Sequence, residues 1–101
     1  MTISANPRKL AKIMKALSHE KRLSLYLDIA EKQEAGFRDD ACHISEVTAL
    51  LGLSAPTISH HLKELVNADL ITTQKEGKYL TARINEETLK EVQELFSALL
   101  R

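Results

Sequence analysis

Gly52 and Ser54 stand two residues apart, a helix stop and a helix start with no room for a strand between them. Ahead of Gly52, the apolar positions Ile44, Val47, Leu50 and Leu51 mark a short helix that the glycine can end in a left-handed conformation. Behind it, Ser54 is a good cap with Pro56 in the first turn. Ile58, His61, Leu62, Leu65 and Val66 then share one face of a helix to about Asn67. Two amphipathic helices joined by so short a step must cross at a steep angle, each burying one face against the rest of the chain.

The flanking sequence supplies that remainder. Leu10, Ile13, Met14 and Leu17 recur at helical spacing after Pro7, so 7–17 reads as an amphipathic first helix with lysines on its outer side. Ser18 can cap a second helix to about Gln33, in which Leu23, Leu25, Tyr26, Leu27, Ile29 and Ala30 wrap more than one face, as a central helix requires. The stretch from Glu34 to Cys42 breaks the period and reads as a long loop. Leu70 to Lys75 and Lys78 to Ile84 are β-rich runs joined by Glu76-Gly77, a hairpin whose inner face carries Leu80, Ala82 and Ile84. Asn85 can cap a last helix with Glu86 and Glu87 in its first turn. Its apolar stripe runs Leu89, Val92, Leu95, Phe96, Leu99, Leu100.

With 101 residues and no internal repeat or linker, residues 1–101 read as a single domain. The hydrophobic content of 44% suffices for a core, and with aromatics limited to Tyr26, Phe37, Tyr79 and Phe96 that core is aliphatic. No apolar run reaches the ~18 residues of a membrane span and no signal-peptide pattern opens the chain. One cysteine cannot close an intramolecular disulfide, so the expected setting is the reduced cytoplasm without a membrane partner. Fourteen basic and fourteen acidic residues cancel, yet the charge is unevenly placed. Arg8, Lys9, Lys12, Lys15, Lys21 and Arg22 face only Glu20 in the first 22 residues. Asp28, Glu31, Glu34, Asp39, Asp40 and Glu46 outnumber Lys32 and Arg38 in the next 28.

Helix, helix, helix–turn–helix, hairpin, helix is a mainly α fold with a β-hairpin wing, the winged helix-turn-helix (α-α-α-α-β-β-α), in which the second helix of the motif enters the DNA major groove. That helix is Ser54 to Asn67. Opposite its apolar face, Thr57, Ser59 and His60 lie near its N-terminus with Lys63 one turn on, all able to hydrogen-bond base edges or phosphates. Ser54 and Thr57 also sit where a helix N-terminus attracts phosphate. In the wing, Lys75 and Lys78 flank Gly77 against the sugar-phosphate backbone, and Lys78 and Tyr79 can reach a groove edge. Taken one at a time, each of these side chains is equally compatible with an ordinary solvated surface.

The segment ISEVTALLGLSAPTISHHLKELVNADLITTQKEGKYLTARI, residues 44–84, resembles the ArsR/SmtB family of bacterial and archaeal repressors. KALSHEKRLSLYL at 15–27 is similar to the family's preceding helix. The resemblance implies a homodimeric, sequence-specific repressor that binds double-stranded DNA and releases its operator when a small-molecule or ion inducer binds. It also implies that the first and last helices pair across the two-fold axis. Leu10, Ile13, Met14 and Leu17 would then join Val92, Leu95, Phe96 and Leu99 in the interface, although a monomer could bury both stripes in its own core.

Relatives that sense thiophilic ions carry Cys-x-Cys near the start of the helix before the turn, where this chain has His43 and Ser45, with Cys42 one place off. Cys42 and His43 are soft donors, but adjacent residues seldom hold one ion together. The last helix offers Glu86, Glu87, Glu91 and Glu94 without a histidine, so no metal and no cofactor is expected. His61, on the inner face, is expected to be a hydrogen-bonded core histidine. Asp39 and Asp40 beside Cys42 disfavour its thiolate, and one cysteine per chain cannot form the two-cysteine switch of redox-sensing relatives. The loop from Glu34 to Cys42 exceeds the family's connection and is a candidate effector or partner site. There is no phosphate loop, no paired carboxylates in a cleft and no nucleophile with its base, so the chain is not expected to be an enzyme. The competing reading is a winged-helix module for protein–protein contact, because Ser54 to Asn67 holds one lysine and no arginine.

Overall fold

A computed structural model of the chain describes residues 6–34, 42–43, 52, 54–76 and 79–100. Helix α1 spans Pro7–Leu17, opened by Asn6, whose side chain accepts from the Lys9 N–H at 3.2 Å, with Pro7 in the first turn. Ser18 closes this helix, its hydroxyl donating to the Lys15 carbonyl at 2.8 Å. The sequence reading gave Ser18 to the next helix as its cap. Instead His19, the residue directly before the helix, takes that place, its Nδ1 accepting from the Arg22 N–H at 3.4 Å, while the Ser18 hydroxyl is turned back toward α1. Helix α2 follows at Glu20–Glu34.

Cys42, read as the end of a loop, forms with His43 a two-residue strand β1, Cys42–His43. It pairs antiparallel with the outer edge of the hairpin, Cys42 opposite Ala82 and His43 opposite Thr81. Two residues are too few to show alternation in sequence, and the partner that makes them a strand lies forty residues away. The expected helix over Ile44–Leu51 falls outside the described residues, as does 35–41 of the loop. Gly52 takes φ +63, the left-handed conformation expected at a helix end.

Helix α3, Ala55–Asn67, starts at Ser54, whose Oγ accepts from the Thr57 N–H at 3.4 Å, with Pro56 in the first turn. It ends on a left-handed residue that is not glycine: Asp69 has φ 59. The Leu70 N–H reaches back to the Leu65 carbonyl and the Asp69 N–H to that of Val66, each at 3.0 Å. This is the Schellman pattern, completed by the burial of Leu65 and Leu70.

The hairpin is β2, Ile71–Glu76, and β3, Tyr79–Ile84, in a sheet of order β1-β3-β2. Ladder pairs run from Ile71 opposite Ile84 to Glu76 opposite Tyr79, so Glu76 belongs to the strand rather than to the connection. Ala82 and Ile84 are buried as the alternation predicts, while Leu80 near the tip is half-exposed. Helix α4, Glu86–Leu99, is opened by the Asn85 side chain, which accepts from the Glu87 N–H at 3.2 Å.

The core is built from α1 (Ile13, Ala16), α2 (Leu25, Tyr26, Ile29), α3 (Ile58, Leu62, Leu65) and the sheet with its approach (Ala68, Leu70, Ile71, Ala82, Ile84). Leu10, Leu17, Ala30 and Val92 pack on its rim. Helix α4 places no apolar side chain among the fully buried set. Its attachments among the described residues include Val92, the ion pair of Glu91 with Lys9 at 2.9 Å, and buried Thr88, whose hydroxyl donates to the Asp69 carbonyl at 2.6 Å. The long axis is 49 Å against 27 and 20 Å.

Candidate nucleic-acid interface

Helix α3 is divided between two environments. Ile58, His61, Leu62 and Leu65 are buried, which fixes its rotation about its own axis. Ser59, His60 and Lys63 are exposed as a consequence, Thr57 is half-buried and Ser54 exposed at the N-terminal end. All five side chains singled out on this helix therefore lie on or beside its outer face. The Ser54 and Thr57 hydroxyls are 2.8 Å apart, so they act as one unit at the helix start. Between them one hydroxyl hydrogen and several lone pairs are left for a phosphate or a base edge. That coupling follows from the i, i+3 spacing of a cap and its third residue, a signal present in the sequence but not drawn from it.

On the wing, Lys75 is exposed in β2 opposite Leu80. Tyr79 opens β3 opposite Glu76 at the hairpin tip. Lys78 lies outside the described residues, and so do the side chains of Cys42 and His43. Among the described residues no group of three or more His, Cys, Asp or Glu could hold a metal ion, and no helix is long and apolar enough to cross a membrane.

The residues expected at a subunit interface separate into two sets. Ile13 is 1% exposed and belongs to the protomer's own core, the alternative that the sequence left open for this stripe. A stripe four residues wide turns one member inward toward α2. Leu10, Leu17 and Val92 are partly covered by that core and Leu95 is half-buried. Met14, Phe96 and Leu99 are exposed, the last two at 47% and 56%, and Leu89 and Leu100 join them although they were not singled out. Four large apolar side chains are thus exposed on α4 and its C-terminal end.

Behind α3 lies a basic cluster that the sequence did not announce. The rings of His19 and His61 are 4.8 Å apart, and those of His60 and His61 6.0 Å. Arg22 donates from Nη1 to the Ala16 carbonyl at 3.2 Å, while its Nε is buried with no partner. His61 is buried as expected but not hydrogen-bonded as expected, for its Nδ1 has no partner. Burial, then the neighbouring Arg22, His19 and His60, hold its imidazole below the usual histidine value.

The model of the bacterial regulatory protein arsR family matches residues 37–73. An arsenical resistance operon repressor of Staphylococcus xylosus is 37% identical over 82 residues, 81% of this chain and 71% of the relative. Among solved structures, an ArsR family transcriptional regulator superposes with a TM-score of 0.77 at 20% identity, covering 96% of this chain and 93% of its own. A homodimeric winged helix-turn-helix DNA-binding domain of Mycobacterium bovis gives 0.67 at 19% identity, covering 99% and 90%. The fold is the winged helix-turn-helix, with α3 in the place of the second helix of the motif and β2–β3 as the wing.

Proposed function

The chain belongs to the arsR family of bacterial regulatory proteins and is a DNA-binding transcriptional repressor rather than an enzyme, and from that premise we propose how it engages its operator. Two protomers lay their α3 helices in successive major grooves of an inverted repeat, with half-sites one helical turn, ~10 bp, apart. Ser54 anchors the helix start on phosphate, Thr57, Ser59, His60 and Lys63 face base edges and backbone, and Lys75, Lys78 and Tyr79 bring the wing against the flanking strand. The observation that carries this reading is the fixed rotation of α3, which turns its polar side chains to one face while Ile58, Leu62 and Leu65 root the other.

The dimer uses Leu10, Met14 and Leu17 of α1 with Val92, Leu95, Phe96 and Leu99 of α4, and the homodimeric relative from Mycobacterium bovis supports it. The inducer is not a thiophilic ion: the chain has one cysteine, and Cys42 and His43 are neighbours in a strand.

Selecting sites from a random duplex pool at near-physiological salt tests the operator. An inverted-repeat motif is expected. Weak, salt-sensitive binding with no motif would instead favour a winged helix that docks on protein, a reading to which the single lysine on α3 lends weight. Repeating the binding with arsenite, cadmium or zinc is expected to leave affinity unchanged, and release of DNA by any of them overturns the inducer assignment.

A further inference from the structure

His61 and His19 meet where the buried side of α3 crosses the start of α2. His19 caps α2 through Nδ1, and Arg22, one turn on, ties α2 to the end of α1 through the Ala16 carbonyl. The recognition helix therefore rests on a joint between the first two helices, and at its contact point it presents an imidazole rather than an aliphatic side chain. Among the described residues every group acting on that imidazole is basic: Arg22 and His19 from the start of α2, and His60 from α3 itself. Among those same residues α1 and β2 also pack on α3, and no charged side chain of either, nor any carboxylate, acts on the imidazole.

We propose that His19, Arg22 and His61 form a proton-operated latch, in which a proton taken from solvent by His61 sets a cation against Arg22, pushes α3 off the start of α2 and weakens the grip on DNA. In the neutral state the imidazole packs without a hydrogen-bond partner at Nδ1, so nothing in the contact rewards the charged form. Leaving that state requires either solvent access to the ring or separation of the two basic groups, and both move α3 relative to α2. The sign of the effect is distinctive. Acidification adds positive charge to the protein as a whole, and phosphate attraction alone then strengthens binding. The latch makes binding weaker instead.

The inference rests on the DNA-binding reading, and the experiment separates the two. Fluorescence anisotropy with a duplex selected at neutral pH is followed from about pH 7.5 to about pH 5.5, across the ordinary histidine range, at constant ionic strength. The wild-type protein is expected to lose about tenfold in affinity, the equivalent of one pH unit of preferential proton uptake by the released state. His61→Gln, which cannot titrate, is expected to stay within about twofold. Because His61 is buried, Arg22→Met is measured beside it, removing the repelling cation and leaving the imidazole, and is expected to fall less than wild type. Affinity that is flat or rises on acidification overturns the latch, as does a full fall in folded His61→Gln or, if that variant does not fold, in Arg22→Met.

NMR of the free protein supplies a readout independent of DNA. Protonation of the His61 ring is expected to move the backbone amides of Ile58 through Leu65 along the same titration curve, and a ring that titrates while those amides stay still refutes the proposal. Should the duplex fail to bind at neutral pH, the DNA-binding reading falls and this titration alone decides the latch.

Discussion

Asp69 ends the recognition helix in a backbone conformation that few side chains accept. At φ 59, aspartate is tolerated through its short polar side chain, whereas a β-branched residue meets its own carbonyl. Asp69→Val is expected to lower the unfolding free energy by about 1–2 kcal/mol, and Asp69→Gly to leave it level or higher. Urea denaturation reads both, and a valine variant as stable as wild type would contradict the assigned turn. His61 sets a pH dependence of stability as well as of binding. Its imidazole is held low in the native state, so the unfolded chain takes up protons first, and stability is lost as pH falls below about 6.5. Tyr26 gives the opposite slope at the other end. Burial pushes its phenol up to about 12, so its contribution is intact below about pH 10 and is lost as pH rises through 12. Denaturation midpoints across both ranges are expected to trace a plateau with two falling edges. At this scale the sequence disclosed what is local. Ser54 and Asn85 were legible as caps because each acts within three residues of itself. Asp69 was not, because only its φ reveals the turn, and the His19–His61 contact joins residues forty-two positions apart.

Helix α3 and the hairpin divide the work of recognition in a way that mutation can separate. Lys75→Ala is expected to weaken binding to all duplexes alike and to lower the salt slope by about 1, as loss of one phosphate contact does. Thr57→Ala and His60→Ala are expected to cost about 1 kcal/mol on the selected site and less on others, relaxing preference at particular base pairs. If both kinds of change act alike across sequences, the division of roles is wrong. Thr88 connects these elements to the last helix, since its hydroxyl donates to the carbonyl of the residue that ends α3. Thr88→Val keeps the shape, leaves that carbonyl without its donor and is expected to cost about 1–3 kcal/mol of stability. Elements with their own punctuation were readable from sequence to within a residue or two: α1 runs from Pro7 to Leu17 as its periodicity and proline indicate. Elements that exist only through a distant partner were not. Cys42–His43 is a strand because the outer edge of β3 is free to receive it, and the extra pair at Glu76 and Tyr79 depends on the ladder rather than on propensity.

Among the described residues, the core draws on α1, α2, α3 and the sheet, and α4 gives it no fully buried apolar side chain. Sequence periodicity marked α1 and α4 as amphipathic but could not say which apolar residues the protomer keeps for itself. That sorting needed three dimensions, which placed Ile13 inside and left Phe96 and Leu99 outside. Phe96→Glu and Leu99→Glu are accordingly expected to yield folded monomers with greatly reduced affinity for an inverted repeat, measured by analytical ultracentrifugation and anisotropy. Variants that remain dimers would refute the assigned interface. Leu100, 83% exposed one residue beyond the helix, lies on the same apolar end. A helix that, among the described residues, buries one threonine and no apolar side chain fully opens at a fraction of the free energy that opens the core. Its backbone amides should therefore exchange with deuterium early, at a rate that slows as protein concentration rises, while those of α2 and α3 keep a protection that dilution does not alter.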